Sequence, residues 1–112
     1  MLDGVANSIE RYMTLLVDRQ KVVASNIANV DTPGYQTKDI DFRTELQNSL
    51  DSTPHTIEIS GLQTKSDGNN VSLDREARLL AENALRFSMA SKMMRSQIRL
   101  LKSAIDGGGT TG

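Results

Sequence analysis

The sequence predicts an all-α protein. Two long terminal helices fold into an antiparallel coiled-coil hairpin, joined by a polar, mostly irregular middle with room for a short β segment. Three observations carry this expectation. Leu2, Ile9, Leu16, Val23 and Val30 recur every seven residues in the first part of the chain. Leu73, Leu80, Phe87, Met94 and Leu101 repeat the spacing in the last part. The stretch between holds both prolines, the single histidine and many Ser, Thr, Asp and Asn residues. A sustained seven-residue beat favours a left-handed supercoil of paired helices.

The first helix is expected over 1–31, a turn and middle segment over 32–71, the second helix over 72–106 and a flexible tail over 107–112. In the first helix Val5, Tyr12 or Met13, and Ile27 fill the companion positions of the heptad, while Arg19 and Asn26 interrupt it. Asn7 with Glu10 resembles a capping box, so the firm helix is expected to begin there. In the second helix Ala77, Ala84, Ser91, Ile98 and Ile105 form the companion series, with the small residues letting a neighbour approach. Ser72 is the expected N-cap, with Asp74 and Glu76 at the positive end of the helix dipole. Gly107 to Gly109 are expected to stop the helix. The two helices, nearly matched in length, are expected to pair with each other. In the middle, HTIEIS at 55–60 alternates polar and apolar residues as a short strand does, and SDGNN at 66–70 is a turn signal.

Composition bounds the function. The chain has 112 residues, a net charge of −1, 38% hydrophobic residues and no cysteine. That is one domain, with no disulfide frame and no thiolate metal site. No apolar run is long enough to span a membrane, and MLDGVANSIE lacks the basic and apolar regions of a cleaved signal. Near-neutral charge argues against nucleic acid. Even so, Arg86, Lys92, Arg95, Arg99 and Lys102 form a run without an acid, read as a solvated helix face or a docking face for an acidic partner.

No nucleotide-binding or hydrolase motif occurs. His55 reads as a solvated loop residue, and Asp39 and Asp41 as surface carboxylates. Met89, Met93 and Met94 lie on or near the packing face and read as packing residues, not as a special function. No catalytic residue, metal ligand or cofactor is expected. A two-helix hairpin covers little of its own apolar surface. Leu15, Val22, Leu79, Leu85, Met93 and Leu100 should stay exposed, and such faces mark partners. The expectation is a helical subunit that completes its fold by assembling.

SNIANVDTPGYQTKDIDF at 25–42 resembles the signature of the bacterial flagellar rod and hook axial proteins, with Asn26, Ala28, Asn29, Thr32, Pro33, Gly34 and Tyr35 fitting the turn motif. KDIDF, GNNVSLDRE at 68–76, AENALRF at 81–87 and LKSAI at 101–105 are similar to the short proximal-rod members. Ala77 stands where a methionine often follows D-R-E in that family. The resemblance implies a structural subunit exported through the flagellar type III gate without a cleaved signal. It also implies helical assembly in the periplasmic rod through the terminal helices. The implied partners are further copies, the sibling proximal rod proteins, the rod–ring adaptor and the export gate. Phe42 and Leu46, in FRTEL, become the candidate export-gate motif. From the heptads alone, a cytoplasmic helical-hairpin adaptor or chaperone gripping a partner helix is the alternative.

Overall fold

The computed structural model describes residues 2–48 and 54–110, with side chains over 4–48 and 54–107. Helix α1 runs over Leu2–Ala28, strand β1 over Lys38–Ile40, helix α2 over Phe42–Gln47, strand β2 over Thr56–Glu58 and helix α3 over Leu73–Thr110. Tyr12 meets Arg86, Leu16 and Gln20 meet Asn83, and Asn26 meets Glu76. Partner numbers rise on one helix as they fall on the other, so α1 and α3 form the antiparallel hairpin.

Its ends differ from the sequence reading. α1 already runs through Asn7 from Leu2. Packing along α3 carries a helix further than local capping signals require. α3 is correctly started by Ser72, whose Oγ accepts from the Arg75 amide at 3.2 Å and whose carbonyl accepts from Glu76 at 3.0 Å. It then continues through the glycines to Thr110. Glycine costs a helix about 1 kcal/mol of backbone entropy but does not bar it sterically. Gly107 does not take the left-handed conformation that ends helices.

The helices are therefore unequal, with 27 residues in α1 and 38 in α3. Carried to Leu2, their register reaches α3 near residue 98. About a dozen residues of α3, roughly 18 Å, project beyond α1.

The seam corrects the reading of α3. On α1 the heptad faces inward as expected, and Ile9, Leu16 and Val23 are buried. On α3 the inward positions are Glu76, Asn83 and Ala90, with Gln97 half-buried one heptad on. The close approach expected at Ala77, Ala84 and Ser91 occurs instead at Ala90, while Ala77 and Ala84 are exposed. Leu80 and Met94 are half-buried, and Leu73, Phe87 and Leu101 are exposed. Met89 and Met93 are exposed and are not core.

The physical reason lies on α1, where polar partners select the polar seam of α3. Asn83 Nδ2 donates to the Leu16 carbonyl at 2.9 Å and to Gln20 Oε1 at 3.1 Å, and Glu76 faces Asn26. A buried polar group without such partners would cost more than an exposed leucine does.

The middle segment packs on one flank of α1. β1 and β2 pair antiparallel, with Asp39 opposite Ile57. Leu15, expected to be exposed, is fully buried. It shares with Arg19 and Asn26 the flank that β1 covers. α2 is capped by Asp41, whose Oδ2 accepts from Thr44 Oγ1 at 2.8 Å.

Candidate functional site

Three features of the hairpin concern function: a buried polar knot, a clasp between two turns, and the uncovered surface of α3. The knot forms where α1, β1 and α3 meet. Asn26 Nδ2 donates to the Lys38 carbonyl at 2.8 Å and to Glu76 Oε1. Asn26 Oδ1 accepts from Tyr35 Oη at 3.0 Å and from the Lys38 amide at 3.1 Å. Asp39 receives Arg19 through Nε at 3.0 Å and Nη2 at 2.8 Å, and Arg75 Nη2 at 3.2 Å. Arg75 Nη1 donates to Glu76 Oε2 at 2.7 Å.

Asn26, Asp39 and Glu76 are all buried. Asp39 is thus an interior acid and not a surface carboxylate, because two guanidiniums neutralise it. Arg19 and Asn26, which interrupt the heptad of α1, are the residues that dock the middle segment.

The clasp joins the turn after α1 to the turn before α3. Successive i to i+3 bonds carry the chain away from α1, from Ile27 to Val30, Asn29 to Thr32 and Thr32 to Tyr35. Gly34 follows Pro33 with φ +75°, and its amide donates to the Asp67 carbonyl at 2.9 Å. Asn69 Nδ2 donates at 2.8 Å to the carbonyls of both Asn29 and Thr32. Asn70 Oδ1 accepts from the Thr37 amide at 2.6 Å, and Asn70 Nδ2 donates to Gln36 Oε1 at 2.9 Å. Lys65 Nζ reaches the Val30 carbonyl at 2.8 Å.

Asn29 keeps to its own turn, donating to the Ser25 carbonyl at 2.8 Å and accepting from Thr32 Oγ1 at 3.0 Å. Ala28 ends the helix and is exposed. The side chains of the signature turn thus split. Asn26 and Tyr35 meet in the knot, and Asn29 and Thr32 shape the corner. Asn69 and Asn70, legible only as turn formers in SDGNN, are the grip of the clasp.

Of the candidate export pair, Phe42 packs edge-on to Tyr12 with ring centroids 6.0 Å apart, and Arg19 lies 5.1 Å over its ring. Leu46, one turn on, is exposed beside Asn7, Ser8 and Arg11. His55 is solvent-facing, its ring 75% exposed, but it lies 3.2 Å from Glu45 Oε1. Glu45 Oε1 also accepts from the His55 amide at 2.6 Å. That pair ties the chain before β2 to α2. No group of three or more His, Asp or Glu among the described residues is placed to hold a metal ion.

The uncovered surface lies along α3. Leu85, Met89, Met93 and Leu100 are exposed on one side, and Phe87, Ile98, Leu101 and Ile105 on the other, up to 68% for Ile105. A groove over the hairpin is lined by Leu16, Val17, Gln20, Asn83, Ala84 and Phe87. Arg86 is held by Tyr12 and Glu82. The hydrogen bond to Tyr12, and then the Glu82 carboxylate, hold its guanidinium above the ordinary value. No helix among the described residues is long and apolar enough to cross a membrane.

Comparison with known proteins gives one family match and three relatives. The pattern of the flagella basal body rod protein family matches residues 13–36, which cover the later part of α1 and the signature turn. The flagellar basal body rod protein FlgB of Escherichia coli K12 is 32% identical, over 96% of this chain and 96% of its own length. FlgB of Salmonella typhimurium is 30% identical with the same coverage, and FlgB of Bacillus subtilis is 25% identical over 96% and 98%.

Proposed function

The chain belongs to the family of flagellar basal body rod proteins FlgB, structural subunits of the rod; from that premise we propose that it forms the proximal rod by helical assembly of its paired terminal helices. One observation carries the reading: α1 does not seal the apolar heptad of α3, with Leu73, Phe87 and Leu101 exposed and Leu80 and Met94 only half-buried. A hairpin sealed for life alone would bury that stripe. A subunit that keeps a polar seam inside and an apolar stripe outside gains its remaining apolar burial from neighbours.

In this reading Ile9, Leu16 and Val23 build the subunit, and Phe87, Met94 and Leu101 build the rod. The corner at Asn26, Ala28, Asn29, Thr32, Pro33, Gly34 and Tyr35 fixes the angle at which the chain leaves the hairpin. Its neighbours are further copies, the sibling proximal rod proteins and the rod–ring adaptor. The subunit reaches the periplasm through the flagellar type III export gate, without a cleaved signal, and catalyses no reaction.

Sedimentation of the purified chain over a range of concentrations tests assembly. Wild type is expected to form polymers, and Phe87→Arg to remain monomeric with unchanged helix content. Polymers of Phe87→Arg equal to wild type would refute the role of the stripe. A defined small complex with a cytoplasmic helical protein, without polymers or secretion, would instead favour the adaptor reading.

Phe42 and Leu46 serve export in this account, read by the gate in the unfolded chain. Folding withdraws Phe42 against Tyr12 and Arg19. Phe42→Ala is expected to lower the secreted amount several-fold at equal cellular level. Wild-type secretion of that variant would remove the motif.

A further inference from the structure

The charges of this near-neutral chain are sorted by face. On α3, Lys92, Arg95, Arg99 and Lys102 fall at i, i+3, i+7 and i+10, on one side of the helix. That side lies opposite the seam positions Ala90 and Gln97, and all four residues are exposed. No described carboxylate is within ion-pairing distance of any of them. On α1, the side away from its own seam carries Glu10, Thr14 and Lys21, all exposed, with Asp18 half-buried at its edge. Glu10 and Asp18 likewise have no described cation within ion-pairing distance.

The two faces point away from each other across the hairpin, so one molecule cannot pair them. They do fit in a stack. Glu10 and Asp18 are about 12 Å apart along α1, and the ridge from Lys92 to Lys102 spans about 15 Å. Each acid can thus face one pair of bases.

We infer that the Lys92–Lys102 ridge of one copy receives the outer face of α1, at Glu10 and Asp18, from a second copy of this chain. The inference rests on the assembly reading above and adds the contact and its direction. The contact joins different patches on the two copies, so it is heterologous and leaves a free patch at each end. Such contacts propagate into open helical stacks and do not close into two-fold dimers. The exposed apolar residues flanking the ridge supply burial, and the charges set which faces meet.

Charge exchange tests the contact. One full-length variant carries Arg95→Glu and Arg99→Glu, and a second carries Glu10→Lys and Asp18→Lys. Glu10, Arg95 and Arg99 are exposed and Asp18 is half-buried, and circular dichroism is expected to give each variant the helix content of wild type. The first leaves each acid facing one base and one acid, the second sets bases against the intact ridge, and each alone is expected to raise the concentration needed for association by about tenfold. An equimolar mixture, and a chain carrying all four changes, place the introduced bases beside the introduced acids at the contact and are expected to recover part of the association lost.

Singles that associate like wild type would overturn the inference while leaving assembly standing. So would weakened singles that neither the mixture nor the fourfold variant rescues. A wild type that stays monomeric at every concentration would overturn the assembly reading itself.

Discussion

Asn26→Ala is expected to destabilise the folded hairpin by about 3–5 kcal/mol, a large part of the total stability of a domain this small. The side chain is fully buried and serves four partners: Glu76, the Tyr35 hydroxyl, and the amide and carbonyl of Lys38. Truncation removes the amide but leaves those groups in place. Each unsatisfied buried group costs about 1–3 kcal/mol, and more where it is charged. Arg75 still neutralises part of Glu76, which keeps the loss below the sum of the parts. Urea denaturation followed by far-ultraviolet circular dichroism measures the change. Asn29→Ala is the control. That side chain bonds only within its own exposed turn, so a loss of about 1 kcal/mol or less is expected. Equal losses at the two asparagines would show that the knot is not what joins the helices to the middle segment.

Gly68→Val is expected to cost about 2–4 kcal/mol and to open the clasp. Gly68 has φ +87°, and a Cβ there would stand 3.3 Å from the Gly34 Cα. The two turns meet backbone to backbone, so neither can yield by rotating a side chain. A β-branched residue adds strain from its own φ to that contact. Gly34→Val carries the strain of φ +75°, but its Cβ meets open space, so about half the cost is expected. Hydrogen exchange separates clasp from hairpin. The Gly34 amide, bonded to Asp67, should exchange much faster in Gly68→Val, while amides near Leu16 and Asn83 stay protected. Uniform loss of protection would mean that the clasp and the hairpin unfold as one unit.

The parts of this architecture that were legible in the sequence are those governed by local periodicity and capping. The heptad of α1, the Ser72 cap and the strand within HTIEIS follow from spacing and residue type alone. The orientation of α3 does not. Its apolar heptad is the stronger pattern, and spacing cannot say whether such a stripe faces its own partner helix or the next molecule. The answer lay in the interruptions. Asn26, Gln20 and the Leu16 carbonyl on α1 take polar partners, and on α3 Glu76 and Asn83 supply them, while Arg19 takes Asp39 from the middle segment. Asp39 was misread for a similar reason. Its two guanidiniums come from positions 20 and 36 residues away, a pairing that local inspection cannot reveal. Asn69 and Asn70 have the composition of any turn, and only the docking of two turns shows that their amides hold α1 to α3. The reach of α3 past Gly107 was hidden because glycine weakens a helix without forbidding it.

These elements describe a subunit whose interior is specified by polar contacts and whose apolar surface is kept for its neighbours. Hydrogen exchange along α3, in wild-type chain held dilute and then assembled, tests that division directly. In the dilute molecule, amides of Leu80–Ala90 should be protected by the seam with α1, while those from Ile98 to Ile105, lying beyond it, should exchange fast. On assembly the second group should slow to the level of the first. Equal and complete protection of both groups in the dilute monomer, unchanged on concentration, would contradict the account.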